Sequence, residues 1–392
     1  MADTTLTRRR TTGTTSGTSS RASKSNNDQK GERLIIGSVD FIILFVVLLL
    51  VIIGTIMIFS ASYYSAGNNE AFNYDIYYFL KKHLTYLAVG MIAMIILANY
   101  NYKGLKPFLP VAYGLSLVFL VLVLIFGTEI NGAKRWLWFF QPSEVAKLAL
   151  ILFLSSYIDD NKNILTTPKG FVRCIAIICV PTGLIAIENL STAIVTFAIG
   201  MGILFIGTPN KRFFLPFIPL GGLGLLAGIA LASFRLERIK AWLNPFDYAQ
   251  DTGYQAVQSF YAIASGGFLG LGLGHSRQKL GYIPEAHNDI IFSILCEELG
   301  FFGAAIVIIL FMILIWRVIR VSMLADTEFG VLTAGGIIIM IGIQVIMNIA
   351  VVTNTMPNTG IPLPFISYGG TSLIIMLISM GIVLNISKFQ KV

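Results

Sequence analysis

The chain has 392 residues, 55% of them hydrophobic and only 12% charged, with a net charge of +8 and a mean hydropathy of +0.77. Several uncharged apolar runs approach the roughly 20 residues that a helix needs to cross about 30 Å of hydrocarbon, so the chain reads as an all-α polytopic membrane protein. Cys174, Cys179 and Cys296 all fall inside apolar runs, which argues against a disulfide framework and against a C-x-x-C metal site.

Residues 1–35 are basic, rich in Ser and Thr and poor in apolar side chains, and a disordered cytoplasmic tail is expected there. Residues 36–392 make up the transmembrane domain. The apolar run from Phe41 to Ser60 is too long for the core of a signal peptide and reads as a retained first span. Ten spans are predicted in all, at 41–62, 77–98, 108–127, 142–158, 171–187, 191–207, 213–233, 288–316, 331–352 and 365–386, with a large extracytoplasmic loop, 234–287, between spans 7 and 8. With the N-terminus inside, the cytoplasmic segments hold 18 of the 28 lysines and arginines, so the positive-inside rule places both termini in the cytoplasm. The charge is then orientation signal and tail, and calls for no nucleic acid.

The outer connections are the ones with unusual content: NGAKRWLWFFQPSE, IENLST, the 234–287 loop and TNTMPNTGIPLPFISYGG. Inner connections such as NYNYKGLKP and GTPNKRF are short and plain. Chemistry is therefore expected on the outer face, which excludes ATP and soluble nucleotide sugars as direct substrates and favours a lipid-borne or extracellular one.

In the first outer connection, Lys134 and Arg135 stand beside Trp136 and Trp138. They read either as part of an interfacial anchor or, because they oppose the positive-inside bias, as ligands. Glu144 and Lys147 follow at i,i+3 on span 4, a spacing that lets the two meet on one helix face; a structural ion pair is the first reading and a role at the site the alternative. The 234–287 loop contains a segment, Tyr254 to Ser265, with helical alternation that suits an interfacial helix. Its GGFLGLGLGHS run offers flexible backbone N–H groups. Joined to Arg235, Arg238, Lys240, Arg277 and Lys279, it suggests a phosphate or pyrophosphate.

GYIPEAHNDIIFSILCEELG comes next, with a helix expected from about Asn288. Asp289 reads as a first-turn acid or as a carboxylate at the mouth of a cavity, since Asp289, Ser293, Cys296 and Gly300 would share one narrow stripe. Glu297 and Glu298 would point to different sides of that helix and are expected to have separate roles. Finally, MPNTGIPLPFISYGGTS has too much Pro and Gly to continue a helix and reads as a re-entrant segment, with Ser367, Tyr368 and Thr371 as polar wall candidates.

Taken together, GAKRW, QPSE, NPFDYAQDTGYQ, GLGLGHSRQKLGYIPEAHNDIIF, EELG and GIPLPFISYGGTS resemble the SEDS family of bacterial peptidoglycan polymerases, over everything from about residue 35 onward, and are closer to its FtsW and SpoVE type than to RodA. The resemblance implies a glycosyltransferase that joins lipid II units outside the cytoplasmic membrane, at the division septum, with a class B penicillin-binding transpeptidase and other divisome membrane proteins as partners. It implies Asp289 of the PE-x-H-x-D element as the catalytic residue. It also brings His287 of the same element, Arg135, Glu144 and Lys147 to the substrate. Where related chains often carry QPDLGTA this one has IENLSTA, so no role passes to that acid. No DxD-type metal motif is present, and Mg²⁺ or Mn²⁺ is implied by the resemblance alone. A lipid II flippase and a non-catalytic scaffold for the transpeptidase are the competing readings.

Overall fold

The computed structural model describes residues 34–391 apart from 131–132, 139, 218, 220 and 223–232. The tail up to residue 33 and most of predicted span 7 lie outside the described residues. The helices in chain order are α1 (Phe41–Gly67), α2 (Tyr78–Asn99), α3 (Leu109–Phe126), α4 (Pro142–Asp160), α5 (Pro168–Glu188), α6 (Leu190–Gly207), α7 (Ser233–Leu243), α8 (Tyr254–Gly266), α9 (Ile291–Leu324), α10 (Glu328–Val352) and α11 (Gly370–Ile386). All except α7 and α8 coincide with predicted spans. Among the described residues seven helical segments are long and apolar enough to cross a membrane. Of the other two, α4 carries Glu144, Lys147, Asp159 and Asp160, and α11 is only 17 residues long.

Two short antiparallel pairs complete the architecture. Strand β1 (Leu34–Ile36) pairs with β4 (Phe389–Lys391), joining the two ends of the described chain. Strands β2 (Thr128–Ile130) and β3 (Ala133–Trp136) form a hairpin before α4.

Apolar side chains fill the interior and also cover the periphery, unlike those of a water-soluble bundle. Nearly every residue of α11 is enclosed, and α4 and α10 hold the centre with it. Peripheral α2 and α3 instead expose Ile92, Ile96, Val111 and Phe126, a surface suited to lipid chains. Since lipid is as apolar as leucine, helices must gain from close packing, and small residues permit it. At Gly381 of α11 an added Cβ would stand 2.6 Å from the Met94 carbonyl oxygen of α2, so this approach requires glycine.

At the end of the bundle that carries β1 and β4, Asp40 caps α1 by accepting from the N–H groups of Ile42 and Ile43 at 3.0 and 3.2 Å. The same carboxylate receives Arg317 of α9 at 2.5 Å. Lys103 pairs with Asp326, and Lys106 with Asp159. One acid thus fixes the start of α1 against α9, and neighbouring pairs tie the turn before α3 to α4 and to the α9–α10 connection.

The predicted helix from Asn288 begins later, at Ile291, and is broken at Gly300, whose φ of 67° and ψ of −168° no helix contains. Beyond the break, the N–H groups of Phe301 and Phe302 donate to the carbonyls of Gly267 and Phe268 at 2.9 and 3.2 Å. In return, Leu271 and Gly272 donate to the carbonyls of Glu297 and Glu298 at 2.9 and 3.0 Å. The glycine-rich loop is therefore stitched into a gap in α9 and satisfies the backbone groups that the break exposes.

Candidate active site

Two open lobes, of about 260 Å³ and 490 Å³, meet at Arg135, Glu285, Asp289 and Gly360 at the end of the bundle remote from β1 and β4. The first lobe reaches between the central helices and is lined by Trp136, Gln141, Glu144, Lys147, Asn189, Gln344 and Tyr368 among others. The second is walled by Arg238, Trp242, Asp251, Gln255, Asn354 and Asn358. Asn354 closes that wall by an exchange with Trp242: the indole N–H donates to the Asn354 carbonyl at 2.9 Å, and the Asn354 amide donates to the Trp242 carbonyl at 3.0 Å.

Asp289 is placed by its backbone. It precedes Ile290, which stands at the N-cap position of α9 without a side-chain cap bond, so Asp289 is neither a cap nor part of the helix. The Asn348 amide of α10 donates to the Asp289 carbonyl at 2.6 Å and to the Ile361 carbonyl at 2.9 Å, pinning the acid to the re-entrant segment. Opposite it runs Gly360, at φ +64°, where a Cβ would stand 3.6 Å from Asp289 Oδ2 and 4.0 Å from Arg135 Nη1. A bare backbone thus lets carboxylate and guanidinium face the same gap.

Burial pushes the Asp289 carboxyl above the ordinary carboxylate range; Glu285 adds to the rise, while its own backbone N–H and Arg135 oppose it. Arg135 is likewise held below its usual value by burial first, then by repulsion from Arg238, with Asp289 and Glu188 acting in the other direction. Its Nε has no hydrogen-bond partner among the described residues. The β2–β3 hairpin orients it, and the neighbouring Lys134 N–H donates to the Glu188 carboxylate at 2.8 Å. Glu188 therefore positions the hairpin, and Lys134 borders a small side cavity of about 20 Å³ and neither lobe.

Glu144 and Lys147 form the expected pair at 2.7 Å, buried and facing the first lobe. Glu144 Oε2 is left without a partner among the described residues. Tyr368 also lines this lobe, and its N–H donates to the His287 carbonyl at 2.9 Å. The His287 ring does not line either lobe. It packs between Phe79 and Tyr368, with ring centroids 4.2 and 5.4 Å away, and burial brings its pKa down to about 4, leaving a neutral wedge.

Several residues expected at the site stand elsewhere. Lys279 is fully enclosed, 2.6 Å from Glu298 and 2.9 Å from the Ser60 hydroxyl of α1, so its charge is consumed inside the bundle and it borders neither lobe. Arg277 is exposed, borders neither lobe, and gives only its backbone N–H to Glu297, at 3.0 Å. The Ser367 hydroxyl accepts from the Leu363 N–H at 2.8 Å and shapes the re-entrant turn; Thr371 accepts from the Gln141 N–H at 3.1 Å. Ser293 spends its hydroxyl on the Ile290 carbonyl at 2.8 Å, and neither it nor Cys296 lines a lobe, so the stripe expected below Asp289 does not wall the cavity.

Glu297 and Glu298 also depart from expectation, because they share one task. Glu297 accepts from Ser276 and from the N–H groups of Arg277 and Gln278, while Glu298 holds Lys279 and Ser60, so both clamp the 276–279 turn. The pattern of residues gave no warning of Gln344, Asn348, Asn189 and Trp242. Two amides four residues apart in an otherwise apolar α10 were the available signal, since polar groups at that depth are costly without a partner.

Among the described residues no three His, Cys, Asp or Glu side chains converge. The donor set therefore does not make a protein cage for Mg²⁺ or Mn²⁺, which prefers one or two carboxylates plus substrate phosphate.

Residues 40–392 match the family model described as "Cell cycle protein", the FtsW/RodA/SpoVE family. Among curated relatives, stage V sporulation protein E of Bacillus subtilis is 39% identical over 363 residues, covering 90% of this chain and 98% of its own. A probable peptidoglycan glycosyltransferase FtsW of Trichlorobacter lovleyi is 37% identical, covering 91% and 95%. A chain solved in work on structural coordination of polymerization and crosslinking by a peptidoglycan synthase complex superposes with a TM-score of 0.73 at 26% identity, over 89% of this chain and 97% of that one. Thermus thermophilus RodA gives 0.65 at 25% identity, over 89% and 96%. This chain belongs to the FtsW/RodA/SpoVE family of cell cycle proteins.

Proposed function

We propose that the chain is a peptidoglycan glycosyltransferase that polymerises lipid II outside the bacterial cytoplasmic membrane during cell division and releases undecaprenyl pyrophosphate. The names of its relatives support the activity. The observation that carries the mechanism is the junction of two lobes at Asp289 and Arg135.

Lipid II holds its sugar through an α-linked pyrophosphate, and a β-1,4 product requires one inversion at the anomeric carbon. The acceptor 4-hydroxyl gives its proton to Asp289 as its oxygen attacks that carbon. A carboxyl raised by burial is the better proton acceptor. The bond to pyrophosphate breaks on the opposite side, and Arg135, with Arg238 farther along the second lobe, offsets the charge that develops. Arg277 and Lys279 take no part in this step. Any Mg²⁺ or Mn²⁺ would be carried by the substrate's phosphates.

The ten-span arrangement with both termini cytoplasmic, the extracytoplasmic 234–287 loop and location at the septum belong to the same reading. So does a class B penicillin-binding transpeptidase as partner among other divisome proteins, which the likeness to a chain of a peptidoglycan synthase complex supports. Incubating the purified chain in detergent with labelled lipid II tests the activity. Glycan polymer supports an enzyme, because a flippase has no membrane to work across there; unchanged lipid II, with and without the transpeptidase, overturns it.

A further inference from the structure

Gln344 lies inside α10, fully buried, and neither end of its amide has a hydrogen-bond partner among the described residues. It faces the first lobe together with Glu144, whose Oε2 is also unpartnered while Oε1 holds Lys147 at 2.7 Å. One turn farther along, Asn348 by contrast spends its N–H₂ on two backbone carbonyls and leaves only its Oδ1 without a partner among the described residues. The fold therefore uses Asn348 and makes no use of Gln344.

We propose that the inner end of the first lobe, at Gln344 and Glu144, is a subsite for the acetamido face of a 2-acetamido sugar; this rests on the polymerase reading above. The free groups there are one N–H₂ donor on Gln344 and two acceptors, Gln344 Oε1 and Glu144 Oε2. A phosphate brings acceptors alone, so it could take the Gln344 N–H₂ and the remaining N–H groups of Lys147 but would leave both acceptors unpaired, with the Glu144 carboxylate facing another anion. An acetamido group brings one N–H and one C=O, which pair with both ends of a primary amide, and a neighbouring sugar hydroxyl can donate to Glu144. The inner end thus suits the neutral, amide-bearing part of the substrate. The anionic part is left to Arg135 at the junction of the lobes, and the sugar's orientation is set by these two ends.

Trp136 lines the same lobe, so its fluorescence can report occupancy. The test titrates the full chain in detergent with lipid II and with an analogue that carries 2-hydroxyls in place of its 2-acetamido groups, comparing the parent with Gln344→Met and recording the melting temperature of each. The parent is expected to bind lipid II at least about tenfold more tightly than the analogue. Gln344→Met should lose that preference through weaker lipid II binding, with analogue binding unchanged and a melting temperature no lower than the parent's, because an unused buried amide has been replaced by an apolar side chain of similar size. A parent without preference, a Gln344→Met protein that keeps it, or one that melts well below the parent would overturn the subsite. A parent that shows the preference yet forms no polymer from lipid II, with and without the transpeptidase, would support the subsite and overturn the polymerase reading.

Discussion

Asp289 takes its chemistry from its neighbours, and those neighbours can be altered one at a time. Its carboxyl is raised chiefly by burial, raised further by Glu285 and lowered by Arg135. With Asp289 as the proposed base the reaction needs the deprotonated carboxylate, so the rate should fall on the acid side as pH drops through the raised pKa. Removing a positive neighbour raises that pKa and removing a negative one lowers it. Arg135→Gln should therefore move the acid limb of the rate–pH profile upward, and Glu285→Gln should move it downward, whatever either does to the maximum. Rate–pH profiles of the two variants check this; limbs that stay together would show that neither charge is felt by the base. Asp289 was legible from the sequence because an acid followed a proline-led turn before an apolar helix. Gln344 and Asn348 were not, because an amide in an apolar run carries no sign of whether it binds backbone or substrate.

At the scale of elements, the break in α9 explains most of what periodicity misread. A helical projection assumes an unbroken helix, and Gly300 ends one and starts another, so Glu297 and Glu298 can both reach the loop that their carbonyls also hold. The Lys279–Glu298 pair inside this clamp is fully enclosed. Lys279→Ala leaves a buried carboxylate uncompensated and should cost about 3–5 kcal/mol, whereas the double substitution Lys279→Met, Glu298→Leu should regain most of that loss. Thermal denaturation of the two variants decides it; equal melting temperatures for Lys279→Ala and the parent would deny the clamp its role. Glu144 and Lys147 offer the contrasting case, since their i,i+3 spacing announced the pair and the structure forms it beside the cavity. Lys147→Ala should lower both stability and polymerisation. Exchanging the two residues should restore stability while leaving activity low, because the carboxylate that faces the first lobe will have moved. A swap that recovers both quantities would make the pair purely structural.

Across the whole molecule, the apolar runs foretold nearly every long helix, since hydrocarbon thickness fixes span length more tightly than any local propensity. What they could not foretell was which helices lie at the centre. That depends on glycine contacts such as Gly381 against Met94, and on polar residues in α4 and α10 that need protein rather than lipid around them. The same packing brings a hairpin, the turn that leads into α9 and a re-entrant segment to one gap, far apart in sequence but together lining the junction at Asp289 and Gly360. The most direct measurement compares polymerisation of labelled lipid II by the purified parent and by Asp289→Asn, each shown by its melting curve to be folded. An amide cannot accept the hydroxyl proton, so polymer is expected from the parent and none from Asp289→Asn. Polymer at the parent's rate from a folded Asp289→Asn protein would contradict the role of Asp289 as the base.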